Sequence, residues 1–444
     1  MSKFITAVLM MASLSSDASM AAIYKPKTTT LDNGLQVVIV ENHLAPIVSL
    51  SIYYKVGTAD DPVEMVGLSH FLEHLMFKGT KNVPTGEFKK KITSKGGIIN
   101  AYTSFDATAF TCSIAGEHLP EVLKYEADRM ENLIFDEVET KAEKKVVMEE
   151  RRMRMDNNPL GNATEVIWRA MYRYHPYGIP PIGYPHHIEA YTNEAARQHY
   201  QTWYKPNNAI LVISGDVTME KILPIIKQHF GPLKKGTIPE RKRVQEPDFS
   251  GIEQNISVQN PRVSYTNVDW NYRAPNHTSL GKEHYYPLIV LAQILGGNEI
   301  SRLYRVLVDE KKVCIDADAS YTARSLDPMY FSVSATLNPT RALEELKQAT
   351  AEIIADVLKN GVTEDELKAA KRDLLADLAF ARDGNDGAIQ AFSGLAFGFD
   401  IEAIESWPSY IQSVTLDQVN KAAQAVLGKG SAVTTTVFPD KKVN

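Results

Sequence analysis

The sequence predicts an α+β protein of two homologous α/β-sandwich domains, each a mostly antiparallel sheet covered by helices, joined by a linker into a clamshell. Three observations carry this. The chain has 444 residues, too many for one ordinary core and suited to two domains of about two hundred residues each. Between Leu233 and Asn255 the text loses its apolar period and turns to prolines, charges and Lys234-Lys235-Gly236, the composition of a linker. Beyond it the first pattern returns, because setting Thr363 over Asp136, an offset of 227, superimposes two helix starts. The expected divisions are a leader at 1–22, a first domain at 23–232, the linker at 233–255 and a second domain at 256–444.

Composition narrows the class. With 44% hydrophobic and 23% charged residues the chain reads as soluble and globular. A net charge of -6 argues against a nucleic-acid-binding surface. Cys112 and Cys314 lie in apolar, strand-like text in different halves and read as buried free thiols, and no Cys-x-x-Cys pair offers a thiolate metal site. Lys3, the apolar run Phe4 to Leu14 and the ending Ser19-Met20-Ala21-Ala22 resemble a secretory signal with cleavage after Ala21. That places the protein in the periplasm or outside the cell; a cytoplasmic protein with an apolar N-terminus is the alternative. The run is too short to span a membrane, and no later stretch is long enough.

Taken in order, Thr28 to Val40 reads as a hairpin turning at Leu31-Asp32-Asn33-Gly34 into the strand Leu35 to Val40. The strand Ile47 to Val56 leads through the polar loop Gly57 to Met65 into a helix beginning near Gly67. A helix at Gly86 to Lys95 stops at Gly96-Gly97, and Ile98 to Ala115 is strand-rich. Glu117 to Asn132 and Asp136 to Asp156 are helices, the second opening with the cap-like Asp136-x-x-Glu139 and stopping at Asn157-Asn158-Pro159. A helix at Ala163 to Tyr174, the loop His175 to His187, the helix Asn193 to Tyr204 and the strand Ala209 to Ser214 complete the first half. His175, His186 and His187 lack ligand spacing and read as loop histidines that pack locally. In the second half Tyr285 to Leu295 is an apolar helix, Tyr330 to Thr336 a strand, and Arg341 to Leu358 a helix ended by Asn360-Gly361. Thr363-x-x-Glu366 then opens another helix with a capping box. The offset puts Asp377 over Glu150, yet Tyr285 to Leu295 holds no histidine, so the copy has no metal site and the clamshell carries its metal on one inner wall.

The chemistry centres on Gly67-Leu68-Ser69-His70-Phe71-Leu72-Glu73-His74-Leu75-Met76-Phe77. Residues four apart share a helix face, so His70 and His74 reach one ion, with Glu73 beside them and Leu68, Phe71, Leu72 and Leu75 supplying the buried surface. Two imidazoles leave a hydrolytic zinc site one protein ligand short. The helix from Asp136 offers Glu139, Glu143 and Glu150. Glu143 and Glu150 stand two turns apart on one face, so that one binds metal and the other supports it.

His-x-x-Glu-His is the inverted zinc-peptidase signature. Its surroundings resemble the pitrilysin and mitochondrial-processing-peptidase family, closest to the bacterial members, along nearly the whole chain. The matching text is Gly67 to Thr80, Asn100-Ala101-Tyr102-Thr103-Ser104, Glu143 to Glu150, His175-Pro176-Tyr177-Gly178 and Trp203-Tyr204-Lys205-Pro206-Asn207-Asn208. The resemblance implies one Zn²⁺ per chain held by His70, His74 and Glu150, the last separated from His74 by 75 residues, with Glu143 as the supporting carboxylate. It implies that Glu73 acts as general acid and base on a zinc-activated water. It also implies that an extended peptide adds as a strand at Asn100, Ala101 and Tyr102, which binds backbone and reads little sequence. The ligand types also accept manganese or cobalt. The expected activity is that of a zinc metalloendopeptidase acting on unfolded peptides; a presequence-processing peptidase and a non-catalytic subunit of the same fold are the alternatives.

One departure bears on partners. Self-sufficient members of the family carry an arginine and, seven residues later, a tyrosine that hold the substrate backbone over the metal. In Leu307 to Ile315 those positions are Val308 and Ile315, neither able to donate such hydrogen bonds. Arg324 with Tyr330, or Arg305 with Tyr321, serve only under a different register. The expectation is therefore a homologous second subunit supplying the pair, or otherwise a homodimer.

Overall fold

Apolar side chains on alternate positions of Ile47–Tyr54 and Thr108–Ala115 build the centre of a six-stranded sheet. The computed structural model describes residues 22–247, 251–430 and 432–439; apart from Ala22, the leader expected at 1–22 lies outside the described residues. The first sheet comprises β1 (Lys27–Thr30), β2 (Gln36–Glu41), β3 (Ile47–Tyr54), β4 (Ile98–Thr103), β5 (Thr108–Ala115) and β6 (Ala209–Gly215) in the order β1-β2-β6-β3-β5-β4. Only the β2–β6 pair is parallel. Its helices are α1 (Leu68–Leu75), α2 (Glu87–Thr93), α3 (Leu119–Glu131), α4 (Glu137–Arg151), α5 (Gly161–Met171), α6 (Pro185–Ala190), α7 (Asn193–Trp203) and α8 (Met219–Phe230). Leu50, Ile52, Phe110, Cys112, Leu211 and Ile213 bury one sheet face against Phe71, Leu72, Val122 and Ile226 of the helices.

The second sheet repeats this arrangement without its first strand. It runs β7-β11-β8-β10-β9, from β7 (Gln254–Gln259), β8 (Asn267–Ala274), β9 (Cys314–Tyr321), β10 (Met329–Leu337) and β11 (Ala432–Phe438), and again only the outer pair β7–β11 is parallel. The helices are α9 (Tyr285–Gly296), α10 (Arg302–Tyr304), α11 (Leu343–Asn360), α12 (Glu364–Asp383), α13 (Asn385–Phe392), α14 (Ile401–Glu405), α15 (Trp407–Ser413) and α16 (Leu416–Val426). The repeat extends to caps: Asp136 accepts from the amides of Val138 and Glu139 at the start of α4, and Thr363 forms a capping box with Glu366 at the start of α12. At the counterparts of Glu143 and Glu150 stand a buried Ala370 and an exposed Asp377.

The two remaining sheet faces differ. On the first sheet Val38, Val40, Tyr53, Ile210 and Val212 are covered by Ile389 and Phe392 of α13 and by Phe397, a segment that belongs to the second half of the chain. On the second sheet the corresponding face is polar across β8, β9 and β10, while Val433 and Val437 of β11 pack on Ile167 and Ala163 of the first half. Asp318, Ser334, Asp269 and Thr435 form one cross-strand row, with Ser334 Oγ donating to Asp269 at 2.7 Å. This face looks across a cavity of about 350 Å³ at Leu160, Ile167 and Trp168, so the clamshell interior is lined by hydroxyl and carboxylate groups on one side. No helix among the described residues is long and apolar enough to cross a membrane.

Sequence and structure differ in places with physical causes. Helix α8 was not anticipated. Ile222, Ile226 and Phe230 bury one side of it, but the interior Pro224 argues against a helix from local text alone. The loop His175 to His187 runs into α6, which starts at Pro185, where proline suits a first helical turn. The linker expected to run to Asn255 overlaps β7, which starts at Gln254. Cys112 and Cys314 are buried free thiols.

Candidate metal centre

Helix α1 starts where only glycine fits. Gly67 has φ +97°, and a Cβ there would lie 2.3 Å from Tyr191 Oη and 2.9 Å from the carbonyl oxygen of Ile182. Asp61 then caps the helix, Oδ2 accepting from Gly67 N at 2.7 Å and Oδ1 from Ser69 N at 3.0 Å and Ser69 Oγ at 2.6 Å. Phe71 and Leu72 are completely buried in the core. That packing fixes the helix rotation and turns His70 and His74 toward α4.

There they meet Glu150. His74 Nε2 lies 3.1 Å and His70 Nε2 3.6 Å from Glu150 Oε2. Ligand atoms about 2.0–2.2 Å from a tetrahedral zinc ion stand roughly 3.4 Å apart, so both distances suit a common ion. Glu150 Oε2 and His70 Nδ1 are buried without a hydrogen-bond partner. Two imidazoles and a carboxylate are also a donor set that zinc prefers. Among the described residues these three form the group of His, Cys, Asp and Glu side chains able to hold a metal.

The supporting contacts are directional. Glu143 Oε1 lies 2.9 Å from His74 Nδ1, which assigns the proton to Nδ1 and leaves Nε2 for a metal. Lys78 Nζ, 2.5 Å from Glu143 Oε2, holds that carboxylate in turn. Arg154 pairs with Glu150 Oε1 at 2.8 Å, so only Oε2 is offered inward. Burial pushes His70 down to about 4. It works against the charge on His74 as well, but Glu143 and Glu150 outweigh it and raise that imidazole to about 9. Burial would raise both carboxylates, yet His74 holds them below the ordinary range.

Glu73 is buried on the same helix. Its Oε2 accepts from Thr103 Oγ1 at 2.6 Å, and burial raises its pKa against that bond. Thr103 ends β4, the last strand of the sheet, whose inner rim pairs with β5 through Asn100↔Thr111, Ala101↔Phe110 and Tyr102↔Ala109. Its outer rim is open. Ala101 packs on the first core, and the Tyr102 side chain is 37% exposed.

The remaining expected residues lie elsewhere. Val308 packs partly buried on the second core, and Ile315 is 42% exposed on β9, the edge of the second sheet. Arg305 is bound to Glu310, Tyr321 to the carbonyl of Pro275, and Arg324 to Gln390 O at 2.7 Å and Ser393 Oγ at 3.1 Å; Tyr330 lies on β10. His175 Nδ1 accepts from Tyr177 N, and His187 Nδ1 from Tyr184 N. Sequence reading missed Thr103, Lys78, Arg154 and the Asp61–Ser69–His199 string. Alternation along β4 places Thr103 on the same face as Ala101, a signal available in the text. In that string Ser69 Oγ lies 2.9 Å from His199 Nε2, but Ser69 is fully buried and unreachable by a substrate.

Residues 36–183 match the family described as Insulinase (Peptidase family M16), and residues 190–374 that described as Peptidase M16 inactive domain. The chain is 31% identical to zinc protease PqqE of Helicobacter pylori, covering 94% of each. It is 24% identical to the uncharacterized zinc protease YmxG of Bacillus subtilis, covering 92% of this chain and 97% of that one. A protease from Helicobacter pylori of known crystal structure superposes with a TM-score of 0.87 at 29% identity, covering 94% of this chain and all of the other. The periplasmic protease PqqL of Escherichia coli shares the fold, with a TM-score of 0.79 at 20% identity, but 95% of this chain covers only 48% of PqqL.

Proposed function

The chain belongs to the insulinase family of zinc peptidases, M16, and on that premise we propose that it is a metalloendopeptidase that hydrolyses unfolded peptides. The observation that carries the reading is the convergence of His70, His74 and Glu150 on one point, with the Glu73 carboxylate tied to the adjoining edge strand. His70, His74 and Glu150 hold one zinc ion, and Glu143 orients His74. Zinc in this position supplies a Lewis acid that polarises the scissile carbonyl and acidifies water.

The rest is done by the chain. The open rim of β4 at Asn100, Ala101 and Tyr102 takes the peptide as an added strand, so that affinity comes from backbone hydrogen bonds. Thr103 fixes Oε2 of Glu73, and Oε1 takes the proton from the attacking water and passes it to the leaving amine. The polar wall of the second sheet keeps the interior hydrated for an unfolded segment.

A homologous subunit supplies an arginine and a tyrosine at the positions of Val308 and Ile315, completing the substrate clamp; a homodimer is the alternative. The site of action is the periplasm or the exterior, on the signal-like text at 1–22. The test is to purify the chain alone, measure its zinc content, and follow chelator-sensitive cleavage of an internally quenched unfolded peptide. One zinc per chain with slow cleavage, accelerated by a homologue bearing the arginine and tyrosine, is expected. A rate equal to that of any co-purifying complex would remove the partner. Absence of zinc would remove the peptidase reading itself.

A further inference from the structure

The segment between the two sheets contributes one side chain that bridges the loop preceding α1 and the turn following β4. Arg243 is 6% exposed at its side chain. Nη2 donates to Asp60 Oδ1 at 2.9 Å, and Nη1 to Asp106 Oδ1 at 2.6 Å and Asp327 Oδ2 at 2.8 Å. Asp60 and Asp106 are themselves 3% and 2% exposed. Each carboxylate comes from a different part of the fold. Asp60 immediately precedes Asp61, the residue that caps α1 through Gly67 and Ser69, next to His70. Asp106 sits in the turn after β4, three residues beyond Thr103, which holds Glu73. Asp327 comes from the second half, where it also meets His175 Nε2 at 3.2 Å and donates its amide to Tyr177 Oη at 3.1 Å.

We propose, resting on the zinc reading above, that Arg243 is a positioning residue that sets the start of the metal-binding helix against the end of the substrate strand. Two buried carboxylates and a third that is partly exposed repel one another unless a cation lies among them. A planar guanidinium satisfies several at fixed angles, as an ammonium cannot. Arg241 ties Asp60 as well, at 3.0 Å, but does not reach Asp106. The same two loops are joined by backbone bonds, from Thr58 N to Ser104 O at 3.1 Å and from Ala59 N to Phe105 O at 2.8 Å, and Arg243 adds to them the side-chain link that also takes in Asp327. Loss of that link displaces α1 relative to β4 and α4, and with it the geometry offered to the metal, while the cores stay packed.

The experiment uses the full chain with Arg243→Gln and, as a control, Asp327→Asn, which keeps Asp60 and Asp106 on the guanidinium. Zinc affinity is read by competition with a chromophoric chelator, and ligand geometry by the absorption bands of the Co²⁺-substituted protein. Arg243→Gln is expected to weaken zinc about tenfold, as loss of an outer positioning contact does, and to shift the Co²⁺ bands. Asp327→Asn is expected to change neither. If Arg243→Gln does not fold, Asp60→Asn carries the same expectation. Unaltered zinc affinity and Co²⁺ bands in the folded variant, even with a lower Tm, would overturn the inference by showing a merely structural ion cluster. Failure of the unsubstituted chain to bind zinc would overturn the zinc reading and this inference with it.

Discussion

Thr103 Oγ1 donates a 2.6 Å hydrogen bond to Glu73 Oε2 and so joins the last strand of the first sheet to the helix that carries both histidines. A hydrogen bond to a charged group contributes about 1.5–3 kcal/mol. Thr103→Val, which keeps the shape and removes the donor, is expected to lower kcat by roughly tenfold or more while leaving zinc content unchanged. Steady-state kinetics beside metal analysis checks it.

Glu73→Gln separates proton transfer from metal binding. The amide cannot accept the water's proton, so turnover should fall about 10²–10⁴-fold with zinc retained, whereas His70→Ala should lose both. Full activity in the Glu73→Gln protein would exclude the general-base role.

Zinc binding should release one proton per ion between pH 6 and pH 8, because the metal-free His74 is held up at about 9 and must lose a proton to become a ligand, while His70, held down at about 4, is already neutral. Apparent affinity therefore rises about tenfold per pH unit across this window. Glu143→Gln removes a carboxylate that raises His74, so it should reduce the proton count and weaken zinc by about 10–100-fold. Calorimetry in buffers of different ionisation enthalpy measures the count; a pH-independent affinity would contradict the His74 assignment.

Away from the site, Glu126 and Arg129 form a buried bidentate pair at 2.6 and 2.8 Å, with the guanidinium 4.3 Å from the ring centre of Phe110. Removing one partner strands the other charge in the core. Glu126→Ala should cost about 3–5 kcal/mol, read as a lower urea midpoint, with zinc affinity unaffected.

Much of the candidate metal centre is legible in the text because its determinants are local: i, i+4 spacing brings His70 and His74 together, and a two-turn interval aligns Glu143 with Glu150. The cap at Asp136 and the box at Thr363 to Glu366 are equally local, which is why the offset of 227 lands two helix N-caps on each other. What the text conceals depends on distant partners. Arg243 reads as one charge in a polar linker until the fold brings three aspartates to it. Strands β8, β9 and β11 escape because their solvent-facing rows, such as Asp316 and Asp318, give text that reads as loop as readily as strand.

The helix α13, laid across Tyr53, Ile210 and Val212 of the first sheet, has a consequence for anyone cutting the gene. The chain looks divisible at its linker, and its two sheets have the same plan. A fragment ending near residue 247 nevertheless leaves behind Ile389 and Phe392, the lid on an apolar surface made by its own central strands. Such a fragment would emerge from the ribosome with a sticky flank and collect in inclusion bodies. The later half of the chain thus acts as a built-in chaperone for the earlier, shielding a surface that the earlier half cannot cover by itself.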